Sequence, residues 1–196
     1  MPAEPSVLLV RHGETEWSAA GRHTGRTDVP LTARGRRQAE HIGGLLAEWD
    51  VARALTSPLG RALDTARIAG FADAEVLPDL AEWDYGAIEG RTTGEVRAGR
   101  PGWTIWKGPV PGGETLTSVA ARTDRVVGRL AASEGLSAVF AHGHLLRVLA
   151  ARWLGLPPDA GRLLALDTAT LSVLGVERGT RLILRWNMPG QPNLES

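Results

Sequence analysis

Cysteine is absent from this 196-residue chain, which excludes disulfides, thiolate metal ligands and a cysteine nucleophile. Lysine is almost absent too: Lys107 is the single lysine among 22 basic residues, and the rest are arginine. Arginine is therefore the default surface cation, and Arg34, Arg36 and Arg37 read as a solvated helix face. An arginine is informative here only where its position forces it into a site. Neither charge is in excess, with 22 basic against 22 acidic residues. Proteins that neutralise a nucleic-acid backbone carry a basic surplus or stripe, so no nucleic-acid partner is expected. Long apolar runs are missing as well. Met1 to Val10 lacks a charged leader and is too short for a signal peptide or a membrane span. The expectation is a cytoplasmic protein without a membrane partner. What remains, 43% hydrophobic and 22% charged residues, is ordinary globular usage, and the length suits one domain over residues 1–196.

Short apolar runs alternate with helical spacing. Ser6 to Val10 reads as a buried strand and turns polar at Arg11-His12-Gly13. Thr32 is the expected N-cap of a helix running to about Trp49, on the spacing of Ala39, Ile42, Leu45 and Leu46. Val51 to Thr56 is a second strand. Ser57 and Pro58 then look like the cap and first residue of a helix ending near Gly70. Ala74 to Leu77 reads as a strand, Thr93 to Arg97 as a short helix, and Glu114 to Ser133 as a long one. Leu136 to Ala141 is a further strand and ends in His142-Gly143-His144, with a helix over Leu145 to Leu154. Ala169 to Val176 and Arg181 to Trp186 flank Glu177-Arg178-Gly179-Thr180 as a hairpin. The pattern predicts an α/β fold, a three-layer arrangement with a mainly parallel sheet flanked by helices.

Open α/β sheets bind ligands at the carboxyl ends of their strands. Parallel neighbours would bring His12 and His142 to one edge, each followed by a glycine that lets a ligand approach the backbone. Arg11 and Arg61 offer planar donor forks suited to phosphate. Metal is the rival use of His12, His142, His144 and Glu82. It is discounted because adjacent arginines repel a divalent cation and no H-E-x-x-H occurs, so no metal is expected. A Ser-His-Asp triad lacks its G-x-S-x-G elbow, and the glycines at 21 and 25 lack the G-K-[ST] of a P-loop.

Leu9-Val10-Arg11-His12-Gly13-Glu14-Thr15-Glu16-Trp17 resembles the signature of the histidine phosphatase superfamily, the phosphoglycerate-mutase-like fold. The resemblance continues over Gly25 to Gly35, Ser57-Pro58-Leu59-Gly60-Arg61-Ala62, Thr65-Ala66, Glu82, Tyr85-Gly86, Glu89-Gly90 and His142-Gly143, in the family's order. It implies a phosphoryl group carried on His12, held by Arg11, Arg61 and His142, with Glu82 protonating the leaving alcohol and then activating water. Glu14, Glu89 and Glu114 are the competing carboxylates. Nearby positive charge should keep His12 unprotonated, and phosphoryl transfer needs positioning and charge stabilisation above all. The implied substrate contacts add Gly13, Ser18, Thr24, Gly25 and Gly143. The implied ligand is a small phosphorylated metabolite, without a cofactor, and a homodimer fits the family.

Two departures from the mutase pattern favour a phosphatase. Ser18 stands where mutases have asparagine, and Arg91 to Gly113 is short, with Arg97, Arg100 and Lys107 scattered rather than paired. His23-Thr24-Gly25 resembles the mutase form, so a bisphosphoglycerate-dependent mutase is the alternative. A non-catalytic phospholigand-binding module is the third reading, disfavoured by the complete site. Short bacterial acid and sugar-phosphate phosphatases are the nearer resemblance, with an acidic pH optimum. Trp103 and Trp106 are read either as a lid or as surface packing, His144 as hydrogen-bonded inside the pocket, and His23 and His41 as surface residues.

Overall fold

The computed structural model describes residues 4–189, so the expected domain limits at 1 and 196 and the first three residues of the amino end lie outside them. One six-stranded sheet runs through the molecule in the order β3-β2-β4-β1-β5-β6. Its strands are β1 (Glu4–Arg11), β2 (Val51–Thr56), β3 (Glu75–Val76), β4 (Leu136–Ala141), β5 (Thr170–Glu177) and β6 (Thr180–Pro189). β1 and β2 each pair parallel with β4, and β2 also with β3, while β5 runs antiparallel to β1 and β6. The sheet is thus mixed, and parallel where the histidine-bearing strands meet.

Alternation along β1 explains the layers. Val7 and Leu9 project to one face, Leu8 and Val10 to the other, and all four are fully buried. Both faces are covered, which is why the run is continuously apolar. On the first face lie α5 (Leu116–Ala131) and α6 (Gly143–Trp153), contributing Val119, Val126, Leu130, Leu145 and Leu149. The second face is covered by α2 (Ala33–Leu46) and α3 (Gly60–Ile68) through Ile42, Leu46 and Ala66. Each Val, Leu or Ile among them stabilises the fold by roughly 1.5–3 kcal/mol when fully buried. The short α1 (Glu16–Ala19) and α4 (Thr93–Gly99) lie in the connections. No helix among the described residues is long and apolar enough to cross a membrane.

Several boundaries shift for identifiable reasons. Thr32 caps α2 as expected, accepting from Gly35 N at 2.9 Å, but the helix stops at Leu46. α3 starts at Gly60, because the Ser57 hydroxyl lies 2.7 Å from His142 Nε2 and accepts only a long 3.3 Å bond from Leu59 N. α5 starts at Leu116 behind Thr115, leaving Glu114 outside the helix. The expected strand at Ala74 to Leu77 contracts to two residues. In the hairpin turn Arg178 and Gly179 have φ of 49° and 79°, the paired left-handed conformations of a two-residue type I′ turn.

Candidate active site

β1 and β4 are parallel neighbours with Arg11 opposite Ala141, so His12 and His142 leave the sheet side by side, their ring centroids 5.2 Å apart. His12 Nδ1 lies 2.7 Å from the Gly13 carbonyl. A carbonyl only accepts, so Nδ1 carries the proton and Nε2 keeps a free lone pair. Burial, then Arg61, then Arg11 hold the His12 pKa well below the ordinary histidine value. The backbone is pinned as firmly as the ring. Ala169 N donates to the carbonyls of Arg11 and His12 at 3.1 Å each, from a left-handed φ of 50° that non-glycine residues rarely adopt.

Behind His12 lies a buried chain of polar groups. Arg61 Nε donates to His142 Nδ1 at 3.2 Å, which leaves the proton on His142 Nε2, 2.7 Å from Ser57 Oγ. Arg61 also donates to the carbonyls of Thr24, Gly25 and Thr27, each at 3.0 Å. Burial first, and Arg61 next, keep the His142 pKa well below its ordinary value. Arg11 differs from Arg61. One terminal nitrogen donates to Leu166 O at 2.5 Å, but its Nε is buried without a partner among the described residues. Its other terminal nitrogen makes no hydrogen bond among the described residues and Arg11 lines the cleft, so a guanidinium donor suited to an anion is available there.

Glu82 occupies the amino end of α6. Its Oε1 accepts from Trp83 N at 2.8 Å and Leu145 N at 2.9 Å, and its Oε2 from His144 N at 3.0 Å. His142, at the cap position, makes no side-chain cap of its own. The Glu82 carboxylate thus caps the helix from another part of the chain. Oε2 accepts a single protein bond and keeps a lone pair where a proton can sit. The turn carrying Glu82 is braced by Arg122, which donates to the carbonyls of Asp79, Ala81 and Glu82 and bidentately to Glu114 at 2.8 and 2.9 Å. Glu114 is thereby spent on Arg122 and on Asp84 N. Glu14 is held by Thr32 and Arg34, and Glu89 by Thr27 N. Among the described residues Glu82 is the one carboxylate lining the cleft.

The cleft measures ≈ 340 Å³ and is lined by Arg11, His12, Ser18, Thr24, Glu82 and Gly143 of the expected site. Gly13, Gly25, Arg61 and His142 lie behind its wall. Two sequence expectations need correction. A Cβ on Gly13 would overlap the Gly35 carbonyl, so this glycine serves backbone packing against α2. His23 is buried rather than on the surface, with ring centroids 5.0 Å from Tyr85, 5.6 Å from Trp103 and 6.0 Å from His144. Burial lowers its pKa. His144 both lines the cleft and hydrogen-bonds, its Nδ1 2.6 Å from the Tyr85 hydroxyl. The tryptophans divide: Trp103 is a core residue, whereas Trp106 walls the cleft beneath Arg147. Sequence reasoning missed Ser57 as a partner of His142, the Arg122–Glu114 brace, and the arginines at the cleft mouth.

Among the described residues no group of three or more His, Cys, Asp or Glu side chains is placed to hold a metal ion. The sequence profile described as Histidine phosphatase superfamily (branch 1) matches residues 7–189. An acid phosphatase of Mycobacterium tuberculosis (strain ATCC 25618 / H37Rv) is 42% identical over 192 residues, covering 95% of this chain and 94% of that protein. A protein of Enterobacter sp. (strain 638) named "Probable phosphoglycerate mutase GpmB" is 33% identical over 191 residues, covering 92% of this chain and 89% of that one. Among solved structures, that of the open reading frame Rv3214 of Mycobacterium tuberculosis superposes with a TM-score of 0.90 at 42% identity, over 94% of this chain and 98% of that one.

Proposed function

Because the chain belongs to the histidine phosphatase superfamily, we propose that it is a phosphomonoesterase that hydrolyses small phosphorylated metabolites through a phosphohistidine on His12. The observation that carries this reading is the geometry of His12, with Nδ1 tied to Gly13 O and Nε2 unbonded in a cleft that also presents Arg11 and Glu82. Burial and the two arginines favour the neutral ring. Nε2 attacks phosphorus and the bond to the leaving oxygen breaks. That oxygen takes the proton from Glu82 Oε2. Water, deprotonated by the resulting carboxylate, then attacks the phosphohistidine, releasing phosphate and restoring the free imidazole.

The unbonded terminal nitrogen of Arg11 is the donor free to meet a phosphoryl oxygen. Arg61 and His142 already bond to each other, so their contact with the phosphoryl group exchanges a protein bond for a phosphate oxygen. Glu82 Oε2, which accepts one protein hydrogen bond, has a lone pair for the proton it passes on, and that proton arrives with the substrate. A phosphomonoester holds its second proton below about pH 6, and His12 stays neutral there, so the reading includes a mildly acidic optimum. Ser18, Thr24 and Gly143 lie where the rest of the substrate sits.

The acid phosphatase relative supports hydrolysis, and the GpmB relative keeps a phosphoglycerate mutase as the second reading. The test is phosphate release from sugar phosphates, phosphoglycerates and an aryl phosphate, with and without bisphosphoglycerate. Rapid acid-free quench with labelled substrate is expected to trap an acid-labile, base-stable phosphoryl group on the wild type and none on His12→Ala, which loses essentially all turnover. An active His12→Ala protein defeats the mechanism, and isomerisation of phosphoglycerate dependent on bisphosphoglycerate selects the mutase.

A further inference from the structure

The cleft carries more positive charge than phosphoryl transfer uses. Besides Arg11 it is lined by Arg22, Arg97 and Arg147, and its one acidic lining residue is Glu82. Elsewhere arginine is commonly matched by a carboxylate, as in the ten ion pairs among the described residues, none of which includes Arg22, Arg97 or Arg147. These three are oriented by neutral carbonyls instead. Arg97 Nε donates to Trp103 O at 2.8 Å, Arg22 to Gly90 O at 2.6 Å, and Arg147 Nε to Gly161 O at 3.0 Å. The Arg147 guanidinium also sits 4.8 Å over the Trp106 ring, which fixes its plane. Carbonyl partners aim a guanidinium without cancelling its charge. Both terminal nitrogens of Arg97 and one of Arg147 keep N–H groups with no protein acceptor among the described residues. Arg22 is the weakest of the three, since its charge already reaches Glu95.

These side chains come from three separate segments, the loop after α1, α4 and α6, and meet at one opening. The phosphoryl group and Glu82, which share one proton in this mechanism, carry two negative charges between them; these offset Arg11 and the buried Arg61 and leave the outer cations unmatched. An uncharged sugar in the remaining space would leave the oriented guanidinium groups without a counter-charge. Building on the phosphatase reading, we propose that the substrate's leaving group carries a second anionic group, a carboxylate or second phosphate, bound by Arg97 and Arg147 with Arg22 at the rim. Planar forks favour such oxyanions.

The test compares matched substrates on the purified enzyme: 3-phosphoglycerate against glycerol 3-phosphate, and fructose 1,6-bisphosphate against fructose 6-phosphate, with an aryl phosphate as reference. The first pair differs by a carboxylate and the second by a phosphate, so the two arms separate the possible anions. The doubly anionic member of at least one pair is expected to show kcat/KM about 10-fold or more above its partner, as charged hydrogen bonds permit. Arg97→Gln and Arg147→Gln should each collapse that ratio. On the wild type, raising salt from about 0.05 to about 0.5 M should shrink it, because the rim is exposed to screening; this arm needs no variant to fold. Hydrolysis of the aryl phosphate without preference in either pair, or a preference that neither substitution nor salt moves, overturns the second-anion subsite and leaves the phosphatase reading intact. Failure to hydrolyse any substrate, the aryl phosphate included, overturns the phosphatase reading and this inference together.

Discussion

Glu82→Gln separates the chemistry of Glu82 from most of its structural duty, because the substitution preserves shape and removes the ability to carry a proton at the expense of one acceptor. The amide oxygen can replace Oε1 and keep the bonds from Trp83 N and Leu145 N, at 2.8 and 2.9 Å in the wild type. Its NH2 then faces His144 N, a donor against a donor, at the position where Oε2 accepts at 3.0 Å. A buried donor left unsatisfied costs about 1–3 kcal/mol, so a modest drop in Tm is expected without loss of fold. Loss of general acid catalysis removes about 10²- to 10⁴-fold from a reaction that needs it, or about 3–5 kcal/mol of barrier. An alkyl phosphate expels an alkoxide and should lose that full factor in kcat/KM. An aryl phosphate expels a phenolate, whose conjugate acid has a pKa of about 10, and needs far less help. Since kcat/KM reports only steps through phosphohistidine formation, slow hydrolysis of the intermediate does not contaminate the comparison. The alkyl-to-aryl ratio should therefore fall by roughly 100-fold, measured by phosphate release well below the variant's Tm. Equal losses for the two substrates would refute the assignment. Glu14 and Glu114 could not be called on instead, since both are bonded elsewhere, and the Tyr85–His144 pair would become the remaining proton source.

Stability should fall as pH drops through the ordinary histidine range. Burial keeps the pKa values of His12, His142 and His144 well below 6.5; the unfolded chain therefore binds more protons just below that pH, and each histidine costs up to about 1.4 kcal/mol per pH unit. Urea melts at neutral pH and near pH 5 check this, and a flat profile would mean that these rings protonate in the folded state. Arg122→Met should cost about 3–5 kcal/mol by stranding Glu114 and three carbonyls, and should lower kcat through the loosened Glu82 turn. Arg122→Lys should recover only part of either loss, lacking the planar fork; full rescue by lysine would show that charge alone braces the turn.

The parts of the site legible in the sequence are those where local pattern and chemistry coincide. β1 and β4 announce themselves as continuous apolar runs, and a polar tripeptide after each marks a strand end, so the adjacency of His12 and His142 followed from the topology of a parallel sheet. Glu82 is legible in the sequence through family position alone. Its local segment says nothing of the three backbone donors, two of which come from α6, more than sixty residues away. Ser57 misled for the opposite reason. Ser followed by Pro is a strong local helix-start signal, and the tertiary demand of His142 for an acceptor outweighed a cap worth about 1 kcal/mol.

Arg122 carries the clearest local signal of the residues that brace the site. It stands among Val119, Ala120, Thr123 and Val126 on the buried stripe of α5, and a charge on an apolar stripe must find partners or be expelled. The sequence could therefore announce a buried arginine but not what it holds. Those partners, the carbonyls of Asp79, Ala81 and Glu82 with Glu114, are fixed only when the 79–84 turn packs against α5. His23 follows the same logic without the stripe. It sits in a polar loop with no periodic neighbours, and only the fold brings Tyr85, Trp103 and His144 around it. In this protein Arg11, His12 and His142 stand at strand ends, whereas the groups that hold them in place depend on contacts between distant segments, which no local pattern encodes.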